Sequence, residues 1–67
     1  MKGKRLLLAK MTEVGMSRKE LAEKIGIRVE TFSIKLNTNG FRCSEAQVIV
    51  SVLGLSPTET FNIFFAD

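Results

Sequence analysis

Start signals and stops recur so often in this sequence that no regular element can run beyond about three helical turns. Ser17 with Glu20, Ser44 with Gln47 and Ser56 with Glu59 each have the spacing of a capping box, in which a hydroxyl accepts from an amide three residues on and the second side chain reaches back. Gly15, Gly26 and Gly54 stand at the far ends of the intervening segments, where helices close. Between these marks apolar residues recur at three- and four-residue spacing with no strand alternation, which predicts five helices and an all-α fold. The first helix spans about Lys4 to Val14, with Leu7, Met11 and Val14 on one stripe and Leu8 beside it. The second starts at the Ser17 cap, with Met16 stapling onto Leu21, and sets Leu21, Ala22 and Ile25 inward before Gly26. The third covers about Val29 to Asn37.

The fourth helix follows the loop TNGFR, with its box at Ser44 and Gln47 and a staple between Cys43 and Val48. Its body, VIVSVL, is apolar on nearly every side; the β-branched residues would suit a strand, but the box and Gly54 favour a buried helix. The fifth opens on SPTE, with Ser56 as cap and Pro57 at the first helical position, and puts Phe61, Phe64 and Phe65 on one face.

Sixty-seven residues give room for one domain, residues 1–67, that buries only about 60% of the surface its unfolded chain exposes. One cysteine and no histidine allow neither an internal disulfide nor a Cys/His zinc site, so packing and caps must hold the fold. The single thiol suits a reducing compartment, and the start MKGKRLLLAK is too charged for a signal peptide, so a cytoplasmic location in a bacterial cell is expected, without a membrane span. Cys43 itself reads as a small half-buried apolar residue under its helix start. With no His, Tyr or Trp, Asp67 as the only Asp, and no nucleophile motif, no enzyme, cofactor, metal or small-molecule ligand is expected.

The net charge of +3 is unevenly spread. All ten Lys and Arg lie within residues 1–42, against four acids, Glu13, Glu20, Glu23 and Glu30; from Cys43 onward there are three acids and no base. That asymmetry suits a half that faces a polyanion and a half that builds core or meets a partner, although an ordinary solvated surface would look similar.

The stretch RKELAEKIGIRVETFSIKLN, Arg18 to Asn37, sets two short helices across a glycine turn. Ala22 is small where the helices cross, Gly26 supplies a left-handed turn, and Leu21, Ile25, Ile27 and Phe32 supply a shared core. This stretch resembles the DNA-binding helix-turn-helix of the Cro and phage-repressor family, and the likeness to its small phage-type members extends to the leading helix, the two trailing helices and the ending FNIFF. Two positions depart from the pattern. Lys35 stands where an apolar residue is usual, and Leu36 takes the buried role if the helix is slightly rolled. Arg28 replaces the usual Ser or Thr cap, leaving amides that a DNA phosphate would satisfy.

The resemblance implies a compact five-helix domain that sets its third helix into the major groove of double-stranded DNA. Four residues then become base readers: Arg28 toward guanine, Val29 toward a thymine methyl, Glu30 toward cytosine and Ser33 toward either base type. Glu30 would equally serve as a first-turn acid complementing the helix dipole. Arg18 and Lys19, with Asn37, Thr38, Asn39 and Arg42 in the following loop, are expected at phosphates, where they position rather than specify. Lys2, Lys4 and Arg5 would form a short basic arm or an ordinary soluble terminus, and Lys24 and Lys35 read as solubilising surface. Phe61, Phe64 and Phe65 either close the core or leave a patch for pairing two copies of the chain. The functional expectation is a small repressor or Cro-like regulator of transcription; the alternative is an antitoxin- or antirepressor-like module that grips another protein with its C-terminal aromatic face. Single-stranded RNA binding is disfavoured, since the phenylalanines occur at core spacing without a basic strand surface.

Overall fold

The computed structural model describes residues 3–66 and consists of α1 (Lys4–Val14), α2 (Arg18–Ile25), α3 (Val29–Thr38), α4 (Cys43–Leu53) and α5 (Pro57–Phe64). The described residues contain no strand, and no helix among them is long and apolar enough to cross a membrane. Three helices bury a pair four residues apart, which is the spacing that returns to the same face: Leu7 and Met11 in α1, Phe32 and Leu36 in α3, Ile49 and Leu53 in α4. Leu21 and Ala22 from α2, Leu55 from the last turn, and Ile63 and Phe64 from α5 complete one cluster. Within it α2 lies against α3 and α4, while α1 lies against α5 and α4.

The expected stripe on α1 is cut short. Val14 is exposed, because the chain reverses at Gly15 and brings Met16 back against the core in its place, the Met16 amide donating to the Met11 carbonyl at 2.8 Å. The start of α4 also differs from expectation. The helix begins at Cys43 with Arg42 as N-cap, two residues before a Ser44 cap would allow, and the carboxylate that reaches back is Glu45, accepting from the Arg42 amide at 2.7 Å. The staple positions shift accordingly from Cys43 and Val48 to Phe41 and Ala46, both partly buried on the core. Phe41 decides this register: its ring sits 5.6 Å from Phe32 and 6.1 Å from Phe64, an aromatic anchor that Cys43 cannot match. Cys43 is therefore exposed rather than half-buried.

Gly3, just before α1, is buried against α5, where a Cβ would overlap the main chain of Ile63. The N-terminus of α1 is thus docked, and the corner it enters also holds the ends of α3 and α5. Lys4 Nζ donates to Asn37 Oδ1 at 2.7 Å, and Asn39 Nδ2 donates to the Phe64 carbonyl at 3.1 Å. A cation and a positive helix start here meet the negative ends of two helices, a favourable arrangement of dipoles.

Three glutamates at the third position of their helices couple the caps to pH. The Ser17 amide holds Glu20 below its ordinary 4.5. For Glu45 the Arg42 amide acts first and the Lys35 ammonium second, and for Glu59 the Ser56 amide first and Lys10 second. A carboxyl lowered in the folded chain adds stability that is complete above its unfolded value and disappears as pH falls through its folded value. The thermal midpoint, followed by helical circular dichroism, is therefore expected to hold from pH 7 down to about 5 and to fall below 4.5. Gln at positions 20 and 59, which caps without titrating, should make that acid limb shallower; equal limbs in the two proteins would show that Glu20 and Glu59 do not contribute to it.

Candidate nucleic-acid interface

The α2–α3 turn follows from Gly26, which holds φ 91° and ψ 29°, a left-handed conformation that a side chain resists. Its amide donates to the Ala22 carbonyl at 2.8 Å and the Ile27 amide to the same carbonyl at 3.0 Å, closing α2 and releasing the chain toward α3. Ala22 is 1% exposed, small where the helices meet, and Leu21 and Phe32 are fully buried beside it with Ile25 and Ile27 at the margin. α2 starts on a complete capping box, the Glu20 amide donating to Ser17 Oγ and the Ser17 amide to Glu20 Oε1, each at 3.1 Å.

The side chains that α3 offers outward are fixed by its inner pair. With Phe32 and Leu36 both at 0% exposure, the opposite side of the helix carries Glu30, Ile34 and Asn37. Ser33 lies on the flank, and Val29 is partly packed against the core. Ile34 is 63% exposed in the middle of that outward face, where nothing in the fold's own packing requires an apolar residue. It is an outward-facing residue that the sequence pattern alone does not single out. The signal was present, since taking Phe32 and Leu36 as the buried seam puts position 34 opposite them, but an isoleucine ordinarily counts as core.

Arg28 stands at the N-cap of α3 and Arg42 at that of α4, and neither side chain makes a capping bond, because a guanidinium has no acceptor. Both are exposed, as are Arg18 and Lys19 in the first turn of α2, and none of the four forms an ion pair among the described residues. The starts of α2, α3 and α4 therefore each present exposed cations next to the positive end of a helix dipole, alongside the first-turn acids Glu20, Glu30 and Glu45, and such cations suit phosphate. At the serine-capped start of α5 the nearby cation is Lys10 of α1, already held 3.3 Å from Glu59.

The loop residues divide differently from expectation. Asn39 is in the left-handed region at φ 54°; its amide donates to the Lys35 carbonyl and its Nδ2 to the Phe64 carbonyl, so two of its donors hold the fold although the residue is exposed. Thr38 donates its hydroxyl back to the Ile34 carbonyl at 2.9 Å. Asn37 is exposed on the outward face with its Oδ1 held by Lys4. Lys35 is no loose surface cation: its side chain is 18% exposed and reaches Glu45 Oε1 at 2.9 Å. Lys4 and Arg5 both belong to the first turn of α1 rather than to an extended arm, with Lys4 held by Asn37 and Arg5 exposed; Lys2 lies outside the described residues.

The phenylalanines do not act as one face. Phe64 is buried, edge-on to Phe41, and is unavailable to a second molecule, whereas Phe61 at 56% and Phe65 at 67% exposure stand outside. Phe65 borders a shallow apolar groove between α4 and α5, floored by Ala46 and Val50. Among the described residues no three His, Cys, Asp or Glu side chains gather as metal ligands.

A family model described as the Cro/C1-type helix-turn-helix DNA-binding domain matches residues 7–65. No curated protein and no solved structure matches the chain. The matched span runs from the first buried leucine of α1 past the end of α5, so it takes in the whole core and the glycine turn between α2 and α3. The chain belongs to the Cro/C1-type helix-turn-helix DNA-binding domain family.

Proposed function

We propose that the chain is a regulator of transcription that sets α3 into the major groove of an operator and blocks or redirects initiation there. The observation that carries this reading is the outward face of α3, where an exposed Ile34 sits between Glu30 and Asn37 with Arg28 at the helix start. An isoleucine at the centre of a polar face suits the thymine methyl, the one apolar group on the major-groove edges of the bases. Arg28 is assigned to guanine, Glu30 to cytosine and Ser33 to the groove edge, while Arg18, Lys19 and Arg42 meet phosphate and set the register.

Selection of duplexes from a random pool at two salt concentrations tests the proposal, because phosphate attraction falls steeply with salt and base readout does not. One enriched sequence is expected. On that sequence Arg28→Ala should weaken binding by about 10- to 100-fold and relax preference at one G·C pair. Ile34→Asn should relax preference at one A·T pair and leave the slope unchanged, since no charge is lost. Retention of full sequence preference in both variants would remove α3 as the reading helix.

The exposed Phe61 and Phe65 favour pairing of two copies through the C-terminal face, which has no basic residue to attract DNA. Such a dimer predicts a pseudopalindromic site with half-sites about 10 base pairs apart, and a lone half-site speaks for a monomer. If no sequence is enriched, the same two phenylalanines support the antitoxin- or antirepressor-like reading, in which this face grips another protein.

A further inference from the structure

Among the described residues Lys35 and Glu45 form the most enclosed ion pair, with side chains 18% and 12% exposed. The pair bridges the last turn of α3 and the first turn of α4. Glu45 Oε1 accepts at once from Lys35 Nζ at 2.9 Å and from the Arg42 amide at 2.7 Å, and Lys35 Nζ also lies 3.5 Å from the Gly40 carbonyl. One carboxylate oxygen and one ammonium thus grip the loop 39–42 at two points of its main chain. Two further ties act on the same loop: the Phe41 ring is set against Phe32 and Phe64, and Asn39 is bonded to the end of α5. What remains turned outward is the Arg42 side chain, together with the first amides of α4, which have no side-chain cap.

We propose that Lys35 and Glu45 are positioning residues for DNA binding: their ion pair locks the α3–α4 loop in the one conformation that delivers Arg42 to phosphate, while touching no DNA itself. The inference rests on the DNA-binding reading above and adds to it a requirement for a negative charge. A carboxylate in a DNA-binding surface repels phosphate, so simple charge counting says that removing it tightens binding. A carboxylate that positions the loop has the opposite effect. The sign of the change at Glu45 therefore separates the two accounts.

The full chain and its Glu45→Gln, Lys35→Met, Lys35→Arg and Arg42→Ala variants are titrated with a labelled duplex across a series of salt concentrations, below the thermal transition of each. Glu45→Gln is expected to weaken binding by about tenfold, the loss of one charge-assisted phosphate contact, although it raises the net charge. Arg42→Ala should cost a similar factor and lower the salt slope by about one. Combined with Glu45→Gln it should add almost nothing, because both remove the same contact. Lys35→Met should behave as Glu45→Gln does, and Lys35→Arg should retain most of the affinity. Tighter binding by Glu45→Gln, or full additivity with Arg42→Ala, overturns the proposal. Amide spectra of the free protein keep this failure distinct from that of the DNA-binding reading. Shifted resonances at residues 39–42 in Glu45→Gln establish the lock without DNA, whereas unchanged resonances overturn it. An unsubstituted chain that binds no duplex overturns the functional reading itself.

Discussion

Phe32→Ala is expected to remove most of the stability of this fold. Phe32 is the largest of the fully buried side chains, and it belongs to both halves of the structure. On one side it packs within the α2–α3 unit; on the other its ring meets Phe41, which in turn meets Phe64 of α5. Truncating a buried phenylalanine costs about 3–5 kcal/mol. A domain of this length has in total only about 3–10 kcal/mol at 0.05–0.15 kcal/mol per residue. The variant should accordingly be largely unfolded at 37 °C, with duplex binding lost in parallel. Phe32→Leu, which fills much of the same volume, should cost about 1 kcal/mol and keep the fold. With no Trp or Tyr in the chain, urea unfolding followed by circular dichroism at the helical band is the suitable readout. A Phe32→Ala protein within about 1 kcal/mol of the parent would show that the site collapses onto its neighbours and that Phe32 is not the keystone described.

What the sequence shows of this fold is what short-range chemistry decides. The Ser17 and Ser56 boxes, the bounds of α1 and α2 and the left-handed turn at Gly26 each depend on residues within four positions of one another, and they appear in the structure where the sequence puts them. The roll of α3 onto Phe32 and Leu36 was legible for the same reason. Apart from Val14, turned out by the neighbouring reversal at Gly15, the departures depend on distant partners. The start of α4 is set by Phe41 finding Phe32 and Phe64, across 9 and 23 residues, and not by the nearer serine. Lys35 looks like a surface residue until Glu45 is seen folded onto it, and the tie of Asn39 to the end of α5 is invisible until the ends of α3 and α5 meet. Glu59 shows the same double use, closing the Ser56 cap with one oxygen and holding Lys10 of α1 at 3.3 Å with the other. The C-terminal half thus has acids without bases because two of those acids, Glu45 and Glu59, fasten lysines of the N-terminal half. That is a reason for the charge asymmetry that composition alone cannot supply. On the candidate DNA face the cations at the helix starts were readable, whereas Ile34 required knowing which side of α3 is covered.

Gly3→Ala carries the second large expected effect, and it decides what the N-terminus is for. The glycine has φ −76°, an ordinary conformation for any residue, so its need for a missing side chain comes from proximity alone. A Cβ there would overlap the carbonyl carbon, oxygen and Cα of Ile63, which are main-chain atoms inside α5 and cannot turn aside as a flexible side chain would. Either the first turn of α1 must lift, breaking the 2.9 Å bond from the Leu7 amide to the Gly3 carbonyl and separating Lys4 from Asn37, or α5 must shift and strain the Asn39 bond to Phe64. Overpacking of this kind costs about 1–3 kcal/mol. For a domain of this size a loss near 2 kcal/mol lowers the thermal midpoint by roughly 10 °C. Gly40→Ala is the matched control, because the atom nearest its added Cβ is the hydroxyl of the Thr38 side chain at 3.1 Å, and it should cost less. If Gly3→Ala instead melts with the parent, the N-terminus is not docked on α5. Lys4 and Arg5 would then be free to reach a phosphate or a minor groove as a basic arm, and removing them should weaken duplex binding without moving the midpoint.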